Sequence, residues 1–358
     1  MNSISKLKTM VSKVTIKRHT LHFRTSFKIA YEEVDQAEVI LVILEDEHGN
    51  RGFGSASPDI EVTGETLQGV EQILRKKLTL SFFDKSLHAV ATFHPKIQQA
   101  FLGFPAAQSA AEEAWLNLFC AERKISMGSL FGNPKKSSPI MVTIGIKDEK
   151  QTQHEVRQRL KQGFRTIKLK VGLDLKTDLL RIRAARAEIP KTHRLVLDAN
   201  QGYLFKDAEK LIHSLRNLDI ALMEQPIAAE DWEGLKALHQ QSAFPVIADE
   251  SAISLNDARR LLMGDYVSGV NIKLMKCGGP INFAKICDLA KSLNKLIMIG
   301  CMYESNISIT TGAHLALSLH LDYADLDSGA MDFDDDLTVG GAEVRRGMIA
   351  IKRPLGLK

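Results

Sequence analysis

The chain has 358 residues, of which 44% are hydrophobic and 25% are charged, and its 47 Lys and Arg against 43 Asp and Glu give a net charge of +4. These values lie close to the average of globular proteins and exclude a largely disordered chain. The absence of long Lys or Arg runs argues against a nucleic-acid partner. Four cysteines are too few for a secreted disulfide scaffold, and no leader-like or membrane-spanning apolar run occurs. We therefore expect a soluble, cytoplasmic protein that binds no membrane.

Residues 1–130 have the pattern of a small α+β domain. The elements predicted in it are a strand, a second strand followed by a turn, and two helices: 12–24, 36–46, His48-Gly49-Asn50, 65–78 and 105–122. The segment FGNPKKSSP at 131–139 is polar and rich in Pro and Ser, and we predict that it links this domain to the next.

Residues 131–330 alternate short β-branched runs with amphipathic helical stretches, a pattern that predicts parallel strands joined by crossover helices. Eight runs are candidate strands: IMVTIGI, TIKLKVG, RLVLDAN, IALMEQP, PVIADES, GVNIKLMK, KLIMIGCM and YADLDSG. An open doubly wound sheet and a closed barrel both fit such alternation. Eight successive units without a glycine-rich phosphate turn favour an α/β fold with a closed (β/α) TIM barrel, and GFGSAS at 52–57 is not a dinucleotide fingerprint. Residues 331–358 break the alternation and are predicted to return to the N-terminal domain.

Charged residues stand near the carboxyl end of most of these candidate strands. They are Lys170, Asp198, Glu224, Asp249, Lys273 and the pair Asp325 and Asp327. The first five follow one another at intervals of 28, 26, 25 and 24 residues, which is one group per βα unit. Active sites of (β/α) barrels lie at the carboxyl ends of the strands, so the spacing predicts one shared site.

Three carboxylates at one barrel mouth repel one another unless a cation lies between them. Oxygen ligands select a hard ion, which predicts Mg²⁺, with Mn²⁺ as the alternative. Cys277 and Cys301 follow neighbouring strands, but no Cys and His spacing supports zinc, and we interpret both as core residues.

Lys168 and Lys170 are two residues apart on one strand and therefore face the same side, with Cα atoms about 6.8 Å apart. Each ammonium is expected to lower the pKa of the other, which makes a lysine a usable base near neutral pH. Lys273 comes from the opposite side of the barrel. Two opposed bases beside a divalent ion suit removal of a proton α to a carboxylate, which gives an enediolate, and its return to the other face. This chemistry predicts a racemase or epimerase, or a lyase or cycloisomerase if the substrate carries a leaving group.

Five motifs resemble the enolase superfamily, and in particular its muconate-lactonising subgroup, over almost the whole chain. They are TIKLKVG, LDANQG, EQP, ADES and NIKLMKxGG, in this order. The resemblance implies a modified, (β/α)7β-like TIM barrel with an α+β capping domain built from the N-terminal region and the C-terminal segment. It also implies Mg²⁺ ligands at Asp198, Glu224 and Asp249. Lys170 and Lys273 would be the two acid/base residues and Lys168 an electrostatic helper.

Asp325-Leu326-Asp327 resembles the D-x-D motif of dipeptide epimerases, in which two carboxylates bind the α-ammonium of the dipeptide. The competing interpretation is a solvated acidic loop, because four further aspartates follow within ten residues. Family members that act on L-Ala-L-Glu carry an arginine shortly after a Phe-Lys-x-Ala segment. Glu32 stands at that position here, and a glutamate side chain would be repelled by it. The predicted substrate is therefore an L-Ala-Xaa-like dipeptide whose second residue is hydrophobic or cationic.

Other functions remain open at this point. A cycloisomerase or an o-succinylbenzoate-synthase-like lyase would use the same lysines and metal without an ammonium site. A metal-free aldolase with Lys170 or Lys273 as a Schiff-base lysine leaves three carboxylates without a role. A non-catalytic binding protein is the remaining alternative, and nothing in the sequence decides whether the chain forms homo-oligomers.

Overall fold

The computed structural model of the protein describes residues 10–28, 33–83 and 89–358. The first described region is an antiparallel sheet of three strands, β1 (Val11–Lys28), β2 (Glu33–Asp46) and β3 (Arg51–Ala56), in the order β1-β2-β3. The strands expected at 12–24 and 36–46 are confirmed and are longer than predicted. The strand β3 was not predicted, because its two glycines are unfavourable for a strand.

The described part of the N-terminal domain also contains the α-helices α1 (Leu67–Lys77), α2 (Val90–Ala100) and α3 (Pro105–Arg123). The side chain of Thr66 caps α1 by accepting from the Gly69 N–H. Pro105 begins α3, at a position where a backbone N–H would have no partner within the helix. The N–H of the next residue, Ala106, donates to the Glu65 carboxylate at 3.0 Å. Both predicted helices are confirmed, whereas α2 was missed because Pro95 interrupts its pattern.

The glycines of β3 allow α3 to lie directly on the sheet. A Cβ atom added at Gly54 would collide with the carbonyl oxygen of Ala110, and one added at Gly52 would collide with that of Ala114. The GFGSAS stretch therefore serves close packing between a helix and a strand, which is the use of glycine where another backbone approaches closely.

Gly54→Ala is expected to lower the free energy of unfolding by about 1–3 kcal/mol or more, because overpacking must displace the backbone of α3. Urea denaturation followed by circular dichroism measures this change. Gly356→Ala is the matched control, because its added Cβ would lie 3.2 Å from the half-exposed Val339 side chain, which can move. Equal losses in the two variants would contradict the close-packing explanation.

The central domain is a sheet of eight parallel strands in sequential order. After the two-residue strand β4 (Ser138–Pro139), they are β5 (Val142–Ile144), β6 (Thr166–Lys170), β7 (Arg194–Asp198), β8 (Leu222–Glu224), β9 (Val246–Ala248), β10 (Gly269–Lys273), β11 (Leu296–Gly300) and β12 (Tyr323–Ala324). The Met141 N–H donates to the Ala324 carbonyl at 2.9 Å and so brings the first and last strands together. All eight predicted strands are confirmed.

Each of the first seven barrel strands is followed by helix. The helices are α4 (Glu149–Lys161), α5 (Leu175–Glu188), α6 (Phe205–Leu215), α7 (Trp232–Gln241), α8 (Leu255–Met263), the single turn α9 (Leu274–Cys277) with α10 (Pro280–Ser292), and α11 (Asn306–Leu319). Asp148, Asp174 and Ser254 cap α4, α5 and α8 by accepting from backbone N–H groups. The predicted (β/α)7β arrangement is confirmed.

Inward-facing positions of the barrel strands form two layers. The lower layer is apolar and consists of Met141, Val196, Leu222, Ile247 and Met298, all buried and packed on one another. Because side chains on a strand repeat every second residue, the next inward positions on β7, β8 and β9 are Asp198, Glu224 and Asp249. The apolar layer thus closes the barrel below a layer of charged groups.

The C-terminal region makes two different contacts. Residues 332–335 meet β1, where the Arg24 N–H donates to the Asp332 carbonyl at 2.8 Å and Phe23 forms a bridge with Phe333. The final hairpin, β13 (Thr338–Arg345) and β14 (Met348–Leu357), forms its strand pairing with β4, while Leu355 and Leu357 of β14 pack on the apolar cluster of the N-terminal sheet. The division of the chain into 1–130, 131–330 and 331–358 stays a prediction. The described residues form no helix that is long and apolar enough to cross a membrane.

Candidate active site

A cavity of about 920 Å³ lies at the carboxyl ends of the barrel strands, and the N-terminal domain covers it. Its walls include the barrel residues Lys168, Lys170, Lys273, Asp325 and Asp327, together with Phe23, Arg24, Asp59 and Val62 of the N-terminal domain. A volume of this size suits a small ligand such as a dipeptide. Asp198, Glu224 and Asp249 have no exposed surface and contact the lysines that line the cavity.

Lys168 lies between three carboxylates from three other strands or their ends. Its Nζ atom is 2.9 Å from Asp198 Oδ2, 2.9 Å from Glu224 Oε2 and 2.6 Å from Asp325 Oδ2. Burial disfavours its charge, but these carboxylates outweigh the burial and hold the pKa of Lys168 well above its usual range. Lys168 is therefore a fixed positive charge in this arrangement.

Lys170 points to the same side of β6 as Lys168, as its two-residue spacing predicts. Its Nζ atom is 2.7 Å from Asp198 Oδ2 and donates to Asn200 Oδ1 at 2.8 Å. In the barrel register Lys170 lies beside Asp198, and Asp198 lies beside Glu224. The three side chains thus form one row across β6, β7 and β8.

Lys273 enters the cavity from β10, four strands away from β6 in the eight-stranded barrel and hence on its opposite side. Its Nζ atom is 3.1 Å from Asp249 Oδ2. A further lysine, Lys276, is buried against the same carboxylate, where it donates to Asp249 Oδ1, to the Asp249 carbonyl at 2.6 Å and to the Asn271 carbonyl at 3.1 Å. Asp249 is thereby held by two ammonium groups.

The three buried carboxyl groups differ in the direction of their pKa shifts. Burial and the charge of Asp198 raise the pKa of Glu224 to about 8. Burial also opposes the charge of Asp198 and Asp249, but the neighbouring lysines prevail: they lower the pKa of Asp198 to about 2 and hold that of Asp249 well below its usual range. The expectation that adjacent lysines depress one another is wrong for Lys168, because its nearest charges are carboxylates and not Lys170.

Two features of the carboxylates suit a hard divalent ion: their donor atoms are oxygens, and two of these oxygens accept no hydrogen bond. Glu224 Oε2 and Asp249 Oδ2 are buried and accept no hydrogen bond, although ammonium groups lie near both. Among the described residues no three His, Cys, Asp or Glu side chains converge as in a preformed metal site, and Lys168 Nζ lies 2.9 Å from both Asp198 Oδ2 and Glu224 Oε2. Three oxygen donors with two unused acceptor atoms match the ligand preference of Mg²⁺.

Asp325 and Asp327 lie together at the cavity wall beside Thr143 of β5. Asp325 is tied to Lys168, whereas Asp327 Oδ2 accepts from the Thr143 N–H at 2.6 Å. Burial and the charge of Asp325 raise the pKa of Asp327 to about 6. Such a pair favours a cationic partner, because a positive charge would relieve the repulsion between the two carboxylates. Glu32 lies outside the described residues.

Three polar residues of the site were not predicted from the sequence, namely Lys276, Asn200 and Asn271. Asn200 bonds Lys170 and donates to Glu250 Oε1 at 3.1 Å, and Asn271 donates to Glu224 Oε1 at 2.8 Å. All three stand within the motifs LDANQG and NIKLMKxGG. The alternation of inward positions signals Asn271, which precedes Lys273 by two residues on β10.

Comparisons with known proteins agree with this architecture. Residues 151–357 match the family described as Enolase C-terminal domain-like. A hydrophobic dipeptide epimerase of Enterococcus faecalis (strain ATCC 700802 / V583) is 32% identical over 89% of this chain and 90% of its own length. An L-Ala-D/L-Glu epimerase of Clostridium acetobutylicum is 31% identical over 93% of this chain and 94% of its own length.

The solved structure of the dipeptide epimerase from Enterococcus faecalis V583, complexed with Mg and the dipeptide L-Leu-L-Tyr, has the same fold. It superposes with a TM-score of 0.91 at 30% sequence identity, over 98% of this chain and 99% of that chain. The match to the family covers more than half of the chain, and both relatives exceed 30% identity over most of it. The chain belongs to the enolase C-terminal domain-like family.

Proposed function

We propose that this protein is a Mg²⁺-dependent dipeptide epimerase that inverts the configuration at the α-carbon of the second residue. The observation that carries the proposal is the placement of Lys170 and Lys273 on opposite sides of one cavity, above buried carboxylates. Both curated relatives named above are dipeptide epimerases, and the structural neighbour holds Mg and a dipeptide. Inversion by proton transfer needs a base on one face and an acid on the other, which this placement supplies.

Asp198, Glu224 and Asp249 are the residues that would hold Mg²⁺, with Mn²⁺ as a substitute. When bound, the ion supplies Lewis-acid polarisation of the substrate carboxylate, which makes the α-proton more acidic. The chain itself prepares this site: Asn271 and Lys276 fix the orientation of Glu224 and Asp249 through hydrogen bonds. Such supporting groups orient the ligands of a metal ion.

Lys170 and Lys273 act in turn. The Nζ atom of Lys170 or Lys273 removes the α-proton from one face, and the Nζ atom of the other lysine delivers a proton to the opposite face. Lys168 keeps its positive charge through its three carboxylate neighbours and stabilises the negative charge that develops on the substrate. Asn200 holds the ammonium of Lys170 in place.

Asp325 and Asp327 are the residues that would bind the α-ammonium of the dipeptide. Their shared position at the cavity wall and the raised pKa of Asp327 support this role, because among the described residues Lys168 is the only cation that forms an ion pair with either carboxylate. A cycloisomerase or an o-succinylbenzoate-synthase-like lyase on the same scaffold has no use for such a pair. No described feature favours those reactions.

The second residue of the dipeptide is proposed to be hydrophobic or cationic rather than glutamate. The sequence carries glutamate at position 32, where family members that act on L-Ala-L-Glu carry an arginine, and the apolar residues Phe23, Val62 and Met302 line the cavity. Overall similarity does not decide this point, since relatives named for hydrophobic dipeptides and for Ala-Glu are almost equally identical to the chain. We further propose that the protein is cytoplasmic and has no nucleic-acid partner, in keeping with its near-balanced charge. The proposed function is compatible with a homo-oligomer.

The proposal is tested by incubating dipeptide pools with the Mg²⁺-loaded protein in D₂O and analysing them by mass spectrometry. Deuterium is expected at the α-carbon of the second residue, and the peptides that gain it identify the preferred side chain. Addition of EDTA is expected to stop the exchange. A folded, Mg²⁺-loaded protein that exchanges no dipeptide would contradict the assignment, and cyclohexadiene acids would then be tested as lyase substrates.

A further inference from the structure

Asp332 is an acidic residue of the cavity wall that the proposed reaction does not use. It follows one turn of 3₁₀ helix, Gly329–Met331, that begins two residues after Asp327. The Asp332 N–H donates to the Gly329 carbonyl at 3.0 Å, and its own carbonyl accepts from the Arg24 N–H at 2.8 Å. The backbone is thus held on both sides, and the half-buried side chain lines the cavity with Asp325 and Asp327.

Among the described residues the Asp332 carboxyl group has no hydrogen bond or ion pair. Arg24 and Arg159 line the same cavity and partly offset the rise in the pKa of Asp332, but each has its ion pair elsewhere: Arg24 lies 3.0 Å from Asp334 and Arg159 lies 3.1 Å from Glu155. Burial and the charge of Asp327 raise the pKa of Asp332 well above its usual range. A carboxyl group in this setting gains most from a cation that enters with the ligand.

Asp332 lines the same cavity as Asp325 and Asp327 and lies near enough to be affected by the charge of both. If that pair binds the α-ammonium of the dipeptide, the side chain of the first residue branches one bond away from the bound group. An apolar side chain there would leave the Asp332 carboxyl without a partner, whereas a long cationic side chain would pair with it.

We propose that Asp332 selects dipeptides whose first residue is lysine or arginine, by forming a charge-assisted hydrogen bond with its side chain. This inference rests on the proposed function, because it uses the proposed orientation of the dipeptide. It concerns the first residue and is therefore separate from the expectation for the second residue.

The test compares L-Lys-L-Leu with L-Met-L-Leu, which has a first side chain of similar length and no charge. With the Mg²⁺-loaded full-length protein, kcat/KM for α-deuterium exchange is expected to be about 10- to 100-fold higher for L-Lys-L-Leu, the usual value of a hydrogen bond to a charged group. Asp332→Asn is expected to remove this preference, so that kcat/KM becomes about equal for the two dipeptides. Asp332→Ser is measured in parallel, because the amide of the asparagine could itself hydrogen-bond to the substrate and serine lacks that group.

Asp335→Asn is the matched control, since Asp335 is an acid of the same segment that bonds His22 and does not line the cavity. It is expected to keep the preference of the unchanged protein. The dissociation constants of both dipeptides, measured by calorimetry, give a second readout that does not depend on turnover.

The outcomes separate this inference from the proposed function. Exchange without a preference for L-Lys-L-Leu, or a preference that survives in both Asp332 variants, would overturn the role of Asp332 and leave the epimerase assignment intact. Preferential binding of L-Lys-L-Leu that both Asp332 variants lose, without exchange of any dipeptide, would uphold the role of Asp332 and overturn the epimerase assignment. Failure of every dipeptide to bind or exchange would overturn both.

Discussion

Lys170→Ala and Lys273→Ala are each expected to abolish epimerisation and to retain exchange with only one stereoisomer of the substrate. Loss of a general acid or base lowers kcat/KM by about 10²- to 10⁴-fold, and a two-base inversion needs both groups. Because the lysines come from opposite sides of the barrel, each remaining lysine still reaches the α-proton of the stereoisomer that faces it.

The measurement is α-deuterium incorporation in D₂O, started separately from the L,L and the L,D dipeptide. Lys170→Ala is expected to exchange one of these peptides and Lys273→Ala the other. Lys210→Ala serves as control, since Lys210 is an exposed lysine of α6 that pairs with Asp207 far from the cavity lining. If both active-site variants exchange the same stereoisomer, neither lysine is the required base for that stereoisomer and the two-base arrangement is refuted.

Mg²⁺ is expected to stabilise the folded protein through Asp198, Glu224 and Asp249, and EDTA is expected to remove both this stabilisation and the activity. A ligand that binds only the folded state at 100 times its Kd adds about 2.7 kcal/mol to the free energy of unfolding. The physical reason is the buried charge, because Asp198 and Glu224 repel one another and the pKa of Glu224 is raised to about 8 without a metal.

Glu224→Gln is the informative variant for this effect. The glutamine keeps an oxygen that accepts from Asn271, so the fold is preserved while the charge at the metal site is lost. Calorimetric melting with and without MgCl₂ is expected to show a rise in Tm for the unchanged protein and for Asp207→Asn, a surface control on α6. The rise is expected to disappear in Glu224→Gln. An equal Mg²⁺-dependent rise in all three proteins would show that the ion binds elsewhere.

The helices and strands of the barrel were predictable because periodicity and spacing encode them locally. The alternation of inward positions places Asp198, Glu224 and Asp249 two residues beyond the apolar layer on three successive strands. The same logic did not reveal β3 or α2, because glycines in one and Pro95 in the other obscure the pattern. In both cases the element is stabilised by packing, with α3 on β3 and with Phe93 of α2 stacked on Trp115 at 4.2 Å.

The environments of the aspartates in the acidic segment after β12 could not be predicted from the local sequence pattern. Asp332, Asp334, Asp335 and Asp336 are chemically alike in the sequence, where they suggested one solvated loop. In the fold they have four separate environments. Asp336 accepts from the Asn306 N–H at 2.6 Å at the start of α11, Asp335 bonds His22, Asp334 pairs with Arg24, and Asp332 faces the cavity.

The sequence by itself determined the family, the barrel, and the set of lysines and carboxylates at its mouth, because residue type and spacing are sufficient for a periodic fold. Only the tertiary structure decided the partners of those charges. It places Lys168 among three carboxylates and so raises its pKa, where adjacency along the strand suggested a decrease. It also brings Lys276 to Asp249 and directs the last hairpin to β4. Electrostatic energies depend on distances through space, which residues far apart in the chain acquire only when it folds.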